Sequence, residues 1–203
     1  AKRGRVNLSV VAQNRFKPDV MRAHKLLEDG MLGKKYFAQC NSMWWRGENY
    51  YKLQWRGTWK SEGGGCTLNH GIHHMDLLLW LMGPVASVNA LVENEAHTNS
   101  ETEDVSAGIL RFENGAVGTV VNSLLHHGEG QNLLIDCEKG SIELPWRLSV
   151  SCQRDNGYPK PNEEEAERLK KASTADHSGL YGFPGQIENV VLAAERGQEP
   201  LVT

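Results

Sequence analysis

Five strand-like segments follow one another between residues 85 and 144, and no helical pattern separates them. The turns Glu113-Asn114-Gly115 and Glu138-Lys139-Gly140 each join two of these segments, and Asn-Gly is a strong hairpin signal. Strands joined by short turns pair antiparallel, whereas parallel strands need a longer crossover, usually a helix. This part of the chain therefore predicts a mostly antiparallel sheet, with strands at Val85–Val92, Val105–Phe112, Ala116–Leu124, Asn132–Cys137 and Ser141–Leu144.

The first part of the chain has a different pattern. Val6–Val11 predicts a strand, and Pro18 opens a helix that ends at Gly30, which is the order of elements at the end of a parallel α/β sheet. Another strand begins at Tyr36–Cys40, and a helix is predicted over residues 67–82. Together with the later strands, these segments favour an α+β fold.

Both ends of the chain are abrupt. The apolar run Val6–Val11 begins close to the first position, and Leu201 and Val202 have nothing after them on which to pack. We interpret the chain as a piece of a longer protein. Before its end, Asn162–Lys171 predicts a solvated helix or a mobile loop, and Gln186–Arg196 predicts a late helix.

The composition excludes several classes of function. Lys and Arg number 22 against 25 Asp and Glu, so the net charge is −3 and no basic block suits a nucleic-acid backbone. The longest apolar run, Leu77–Met82, is far too short to span a membrane. No signal-peptide pattern is present, and the four cysteines include no C-x-x-C pair. We therefore expect a cytoplasmic protein with reduced thiols and no nucleic-acid or membrane partner.

The helix predicted over residues 67–82 has two distinct faces. At about 100° per residue, one apolar stripe should be buried against the sheet. The neighbouring polar face, on which Asn69 precedes His73 by one turn, is predicted to line a cleft, with the amide orienting the imidazole. Gly71 inside the helix indicates that another group approaches the backbone closely. The apolar stripe consists of Leu68, Ile72, Met75 and Leu79, and the polar face of Asn69, His73, Asp76 and Trp80.

Two other interpretations of this helix remain open. His73 is equally consistent with a half-buried structural histidine bonded to the backbone or to Asp76. His70 and His74 have the i, i+4 spacing of zinc ligands on a helix, so they could form a metal cluster with His73 and Asp76. No Glu completes an H-E-x-x-H motif and His73 points away from the other two histidines, so we expect no metal site. A metal-dependent hydrolase or isomerase is kept as an alternative function.

The sequence resembles a known family around this helix. The pattern Gly63-Gly64-Gly65…Asn69-x-Gly71-x-His73-x-x-Asp76-Leu77-Leu78-x-Trp80-x-x-Gly83 is similar to the signature of the glucose–fructose oxidoreductase / inositol dehydrogenase family. Weaker matches follow in the same order along most of the chain. They are Gln13-Asn14-Arg15-Phe16, Gly30-Met31-Leu32-Gly33, Trp55-Arg56-Gly57, Glu103-Asp104-Val105…Phe112-Glu113-Asn114-Gly115, Gly140-Ser141-Ile142 and Gln186-Ile187-Glu188-Asn189.

The resemblance implies both a fold and an activity. Family members have a Rossmann domain, followed by a domain with a large open antiparallel sheet that carries helices on one face and an oligomer contact on the other. They transfer a hydride between NAD or NADP and a hydroxyl carbon of a sugar, polyol or related small molecule. By this resemblance, residues 1–30 are the trailing strand and helix of the dinucleotide-binding domain. Residues 31–203 are the substrate-binding and oligomerisation domain, truncated at its C-terminus.

The resemblance also implies which residues form the site. His73 corresponds to the family's catalytic histidine, and an imidazole suits transfer of a hydroxyl proton near neutral pH. Asn69 lies beside it, where many members have Asp, and an amide cannot raise the basicity of the ring as a carboxylate would. Substrate-binding candidates, for which loop packing is the alternative explanation, are Arg15, Tyr50, Trp55, Arg56 and His177.

Two motifs of the family are absent from the chain. It has neither the Glu-Lys-Pro motif that supplies the catalytic lysine nor a G-x-G-x-x-G turn opening a helix, since Gly128-Glu129-Gly130 lacks the third glycine. We therefore expect NAD or NADP to bind the full-length protein but not this chain alone. Expected partners are a sugar or polyol substrate and a second copy of the chain, bound through a sheet face. A non-catalytic interaction or assembly module of the same fold is the main alternative.

Overall fold

The chain folds around one open sheet of eight strands. The computed structural model describes residues 8–152, 157, 159–174 and 179–203. The strands are β1 (Lys35–Trp45), β2 (Val85–Glu93), β3 (Val105–Phe112), β4 (Val117–Ser123), β5 (Leu125–Cys137), β6 (Gly140–Leu144), β7 (Arg147–Cys152) and β8 (Lys160–Pro161). Their order across the sheet is β2-β3-β4-β1-β5-β6-β7-β8.

Most neighbouring strands run antiparallel. Strand β1 pairs in parallel with β4 on one side and antiparallel with β5 on the other. The remaining neighbours among the described strands are antiparallel, including the hairpins at the two turns singled out from the sequence. The predicted α+β fold with a mostly antiparallel open sheet is therefore confirmed.

The helices are short and the one at the centre has an irregular start. A π-helical turn, Thr67–Gly71, runs directly into α3, and 3₁₀ turns form at Gln13–Phe16 and Glu48–Lys52. The α-helices are α1 (Pro18–Glu28), α2 (Trp59–Glu62), α3 (Ile72–Met82), α4 (Glu163–Ala172) and α5 (Gly182–Glu195).

One face of the sheet carries the main core. Side chains of α1, α3 and α4 form a single buried cluster with alternate residues of β1, β3, β5 and β6. The helices contribute Leu26, Leu78 and Leu169 among others, and the sheet contributes Ala38 and Ile135 among others. The opposite face of β2 and β3 is open, with Leu91 71% and Ile109 61% exposed. Helices on one face were expected from the family resemblance, and the structure confirms this arrangement.

The structure corrects several predicted elements. Leu8–Val11, the described part of the predicted strand Val6–Val11, forms no strand, because no described strand lies beside it to supply hydrogen bonds. Strands β7 and β8 were not predicted. The segment Asn162–Lys171, predicted as a helix or a mobile loop, forms α4, with the Asn162 side chain accepting from the Glu165 N–H as an N-cap.

The apolar stripe of the central helix was predicted on the wrong side. Leu68, Ile72 and Leu79 are 40–46% exposed, whereas the buried residues are Gly71, Leu77, Leu78, Leu81 and Met82. The π-helical turn inserts a residue and rotates the later residues relative to a regular helix. The prediction at Gly71 is confirmed: a Cβ there would lie 2.1 Å from Asn122 Oδ1 of β4, so a larger residue would force the Asn122 side chain to move.

Candidate active site

Three histidines lie close together around the start of α3, and they differ in their surroundings. His70 and His74 both pack on Trp44, with ring centroids 5.7 and 6.0 Å from its ring. Burial lowers the pKa of each to about 4, with neighbouring cations adding to the effect. Their Nδ1 atoms are buried and have no hydrogen-bond partner among the described residues. Both rings are therefore neutral packing groups near pH 7.

His73 lies between them in sequence and is half-buried. No hydrogen bond or ion pair to its ring is found in the part of the chain that the structure describes. The predicted structural partner, Asp76, is engaged elsewhere. This leaves the His73 imidazole available to a ligand.

Asp76 is held by Arg15. Arg15 Nε donates to Asp76 Oδ2 at 2.9 Å and Arg15 Nη2 donates to Oδ1 at 2.5 Å, which is the bidentate geometry of a strong ion pair. The guanidinium also lies 5.2 Å from the centroid of the Trp80 ring, whose face stacks on His24 at 3.9 Å. The substrate-site candidate Arg15 thus has its charge paired within the protein, near the middle of α3.

The candidate metal cluster does not form. His70 and His74 face Trp44, and Asp76 binds Arg15. Within the described ranges, no three His, Cys, Asp or Glu side chains lie close enough together to coordinate an ion. The described residues therefore provide no observation that favours a metal-dependent hydrolase or isomerase.

The predicted hydrogen bond between Asn69 and His73 is not found among the described residues. Asn69 Nδ2 donates to the backbone oxygen of Gly64 at 2.7 Å and to Glu62 Oε1 at 3.3 Å. The reason is local: the chain reverses at Gly63–Gly65, so the end of α2 lies beside the first turn of the next helix. Asn69 remains next to the site, but its amide is oriented by Glu62 rather than orienting the histidine.

The aromatic segment before this helix surrounds Arg56. The guanidinium lies 4.0 Å from the Tyr50 ring centroid and 4.1 Å from the Trp55 ring centroid, and its Nη1 donates to Glu62 Oε1 at 2.9 Å. Burial raises the pKa of the Tyr50 phenol, so its hydroxyl stays protonated. Trp55 is 51% exposed. Three of the substrate-site candidates therefore form one cluster, in which Trp55 offers an open ring.

Three residues that the sequence analysis did not assign to the site support this region. They are Glu103, Asp104 and His97. The Glu103 carboxylate accepts the backbone N–H groups of Gly65 and Thr67 at 2.7 and 3.0 Å. The same contact explains the glycine: a Cβ at position 65 would lie 1.9 Å from the Glu103 backbone oxygen. The only sequence signal for these residues was the Glu103-Asp104 pair quoted in the resemblance.

Asp104 anchors the loop between β2 and β3. Burial alone would raise the pKa of its carboxyl, but the N–H groups of Glu95, Ala96 and His97 and the His97 ring donate to it and lower that pKa below its usual value. The His97 ring also bridges to the chain after β1, since its Nε2 lies 2.7 Å from the Arg46 backbone oxygen. This pair ties the loop to the end of β1.

The glycine-rich turn before α3 is not a phosphate site. Helix N-termini that follow such turns bind phosphates through free backbone N–H groups. Here Glu103 already occupies the N–H groups of Gly65 and Thr67 with a carboxylate, which would repel a pyrophosphate. These residues do not fit NAD or NADP. The remaining candidate, His177, lies outside the described residues.

Comparison with solved structures places the chain among oxidoreductase domains. The WlbA dehydrogenase from Bordetella pertussis, in complex with NADH and UDP-GlcNAcA, is 29% identical with a TM-score of 0.77, covering 99% of this chain and 57% of that one. The WlbA dehydrogenase from Chromobacterium violaceum, in complex with the same two ligands, is 27% identical with a TM-score of 0.76, covering 100% and 56%. The aldose-aldose oxidoreductase from Caulobacter crescentus, complexed with glycerol, shares the fold at 23% identity and a TM-score of 0.76, covering 99% and 57%.

The chain belongs to the GFO/IDH/MocA family. The model of the GFO/IDH/MocA C-terminal domain matches residues 20–143, which is more than half of the chain, and confirms the resemblance seen around the central helix. A search of curated proteins gives no match. The chain spans about 57% of the length of the WlbA dehydrogenase from Bordetella pertussis. Among the described residues, no helix has the length and apolar character needed to cross a bilayer.

Proposed function

We propose that this chain is the substrate-binding part of an NAD(P)-dependent oxidoreductase that acts on a hydroxyl carbon of a sugar or polyol. The family and the structural neighbours are oxidoreductases, and the WlbA neighbours bind NADH. The glycine-rich turn before α3 does not fit a pyrophosphate, because Glu103 occupies its N–H groups, so the chemistry assigned to this chain is to bind the substrate and move its hydroxyl proton. Residues 1–30 would then belong to the nucleotide-binding domain and residues 31–203 to the substrate domain.

The observation that carries the proposal is the position of His73. It is a half-buried imidazole on α3 with no hydrogen bond or ion pair in the described part of the molecule, whereas His70 and His74 are packed on Trp44. A hydroxyl that loses a hydride from its carbon also loses its proton, and a positioned imidazole accepts such a proton near neutral pH. His73 is assigned this role, and Asn69 is assigned a hydrogen bond to the substrate.

The sugar would lie against the aromatic cluster. Trp55 presents an open ring beside Arg56 and Tyr50, and sugars bind proteins through the apolar faces of their rings together with hydroxyl hydrogen bonds. The protonated Tyr50 hydroxyl supplies a donor. Arg56 is assigned to holding the two rings, because Glu62 pairs with its charge. Arg15 and His177 remain candidates at the edges of the site.

We also propose that a second copy of the chain binds to the open face of the sheet. Leu91 and Ile109 are exposed there on neighbouring strands, and no described helix covers them. Contiguous apolar sheet surface of this kind marks an association site. The protein is proposed to act in the cytoplasm.

The proposal is tested by assaying the full-length protein with NAD⁺ and NADP⁺ against a panel of sugars, polyols and nucleotide-linked sugars, following the absorbance of the reduced nucleotide. UDP-linked amino sugar acids are included because the WlbA neighbours are bound to UDP-GlcNAcA. Turnover of at least one compound that carries a secondary hydroxyl is expected. Binding of a sugar without any turnover would favour the non-catalytic module instead.

A further inference from the structure

Glu62 is a buried carboxylate surrounded by donors. Its side chain is 4% exposed. Oε1 accepts from Arg56 Nη1 at 2.9 Å and from Asn69 Nδ2 at 3.3 Å, and Oε2 accepts the backbone N–H of Gly57 at 2.5 Å. Arg56 Nη1 and the Gly57 N–H can only donate, so the carboxylate acts as an acceptor in both of these contacts.

These contacts decide which way the Asn69 amide points. The two ends of an amide differ in chemistry but not in shape, so the orientation follows from the hydrogen-bond partners. Both partners of Asn69 on this side, the Glu62 carboxylate and the Gly64 backbone oxygen, accept and cannot donate. The amide NH₂ group must therefore face them, and Oδ1 is the end that remains.

No donor reaches Asn69 Oδ1 within the residues that the structure describes, and Oδ1 is not among their buried unpaired atoms. Asn69 precedes His73 by four residues, about one turn, in the π-helical segment that leads into α3. An oxygen fixed in this position is an acceptor that is ready for a hydroxyl hydrogen.

We propose that Glu62 is the positioning residue that fixes the orientation of the Asn69 amide. The NH₂ group then faces the Glu62 carboxylate and the Gly64 backbone oxygen, and Oδ1 is available to a substrate hydroxyl beside His73. The contact of Asn69 Oδ1 with a substrate hydroxyl rests on the proposed function, whereas the orientation of the amide does not. The orientation follows from the acceptors alone and holds in the unliganded chain.

If the proposal is correct, the effect of a substitution at position 69 depends on which residue occupies position 62. The substitution Asn69→Asp would place a second carboxylate against Glu62 and against the Gly64 oxygen, with no proton between them. Glu62→Gln removes one of these two charges. With its Nε2 at the position of Oε1, the glutamine donates to the new carboxylate and its oxygen accepts the Gly57 N–H, at the cost of the contact with Arg56 Nη1. Asn69→Asp should therefore be harmful when Glu62 is present and much less harmful when position 62 is glutamine.

The orientation is tested on the chain itself by thermal unfolding of wild type, Asn69→Asp, Glu62→Gln and the double variant. Asn69→Asp should lower Tm by about 5–10 °C in the wild-type background, and by clearly less in the Glu62→Gln background. Asn99→Asp is the matched control, because Asn99 Nδ2 donates only to the Glu48 backbone oxygen at 3.1 Å, and its effect should not change with residue 62. Equal losses from Asn69→Asp in both backgrounds would overturn the proposal.

Two further measurements keep the test decisive. If Glu62→Gln fails to fold, Asn69→Asp is compared with Asn69→Ala: the proposal expects the aspartate to be worse, and an alanine that is equally harmful contradicts it. In ¹⁵N-resolved NMR spectra, the side-chain NH₂ pair of Asn69 should move on Glu62→Gln, and an unmoved pair would show that the carboxylate does not hold it.

The hydrogen bond between Asn69 Oδ1 and the substrate hydroxyl is tested in the full-length protein with a sugar that the enzyme oxidises. Asn69→Asp should lower kcat/KM by about 10-fold or more, the usual worth of one lost hydrogen bond to a substrate, and Glu62→Gln added to it should restore a large part of that loss. A double variant no better than Asn69→Asp contradicts the role toward substrate. If wild type oxidises no sugar, the proposed function fails, and the thermal and NMR results still decide the orientation.

Discussion

Arg15 and Asp76 are joined by two parallel hydrogen bonds although they are 61 positions apart. The ion pair connects the 3₁₀ turn Gln13–Phe16 to the middle of α3, one turn after His73. Because the pair is bidentate and partly buried, it fixes the position of α3 relative to the turn that carries Arg15. It is therefore a structural support of the candidate site.

The first prediction concerns this ion pair. Arg15→Ala leaves the Asp76 carboxylate half-buried without its partner, and should lower the free energy of unfolding by about 1–3 kcal/mol. Lys25→Ala is the control, because it breaks an exposed i, i+4 pair with Asp29 and should cost only about 0.3–0.5 kcal/mol. Urea denaturation measures both. Equal losses for the two variants would show that the Arg15–Asp76 pair does not brace α3.

The second prediction concerns Gly71. Replacing a helical glycine by alanine usually stabilises a helix by up to about 1 kcal/mol, but here the new Cβ would lie 2.1 Å from Asn122 Oδ1. Gly71→Ala should therefore destabilise the chain by about 1–3 kcal/mol, as other overpacked cores are destabilised. Adding Asn122→Ala removes the obstructing atom and should make the alanine at 71 less costly. Stabilisation by Gly71→Ala alone would contradict the close packing of the helix on β4.

The third prediction is a pH dependence at Asp104. The N–H donors around this carboxyl lower its pKa below the ordinary value of 3.8, so the stability it contributes is present above pH 3.8 and is lost as the pH falls through the lowered pKa. Asp104→Asn should therefore cost about 2–4 kcal/mol at a pH of about 5.5, and the difference from wild type should shrink as the pH falls below about 4. Urea titrations at several pH values measure this. A difference that stays constant far below the ordinary pKa would contradict the role of the ionised carboxylate.

Local sequence patterns predicted the sheet well because they reflect short-range geometry. The alternation in Val105–Phe112 matches β3 at both ends, with Ser106, Gly108, Leu110 and Phe112 buried on one face. The hairpin turns were predicted for the same reason, since the conformation of Asn-Gly is decided within four residues. The family pattern likewise located the helix that carries His73.

The errors arose where distant residues decide the structure. Gly71, at the end of the π-helical turn, packs against Asn122 on a strand far along the chain, and periodicity within one helix cannot register such a contact. Asn69 was paired with His73 on helical spacing, but Glu62 reaches it across the reversal at Gly63–Gly65. The roles of Glu103 and Asp104 depend in the same way on backbone N–H groups, which are identical in every residue and leave no sequence signal.

The fourth prediction concerns the open face of the sheet. If this face mediates self-association, Ile109→Asp should shift the chain toward the monomer, because it places a charge beside Thr119 in the middle of that surface. Leu53→Asp is the control, since Leu53 is also exposed but follows the 3₁₀ turn Glu48–Lys52, outside the sheet. Sedimentation velocity over a range of concentrations measures the mass. A wild-type chain that remains monomeric at high concentration would contradict this assignment.

The central claim is that His73, and neither of the neighbouring histidines, moves the substrate proton. It is tested most directly by comparing His73→Ala and His70→Ala in the full-length protein, with kcat measured on an accepted sugar and NAD(P) binding measured separately. His73→Ala should lower kcat by about 10²–10⁴-fold with nearly unchanged nucleotide affinity, whereas His70→Ala, which removes a neutral ring packed on Trp44, should lower it far less. Equal losses for the two variants, or near-normal turnover by His73→Ala, would contradict the account.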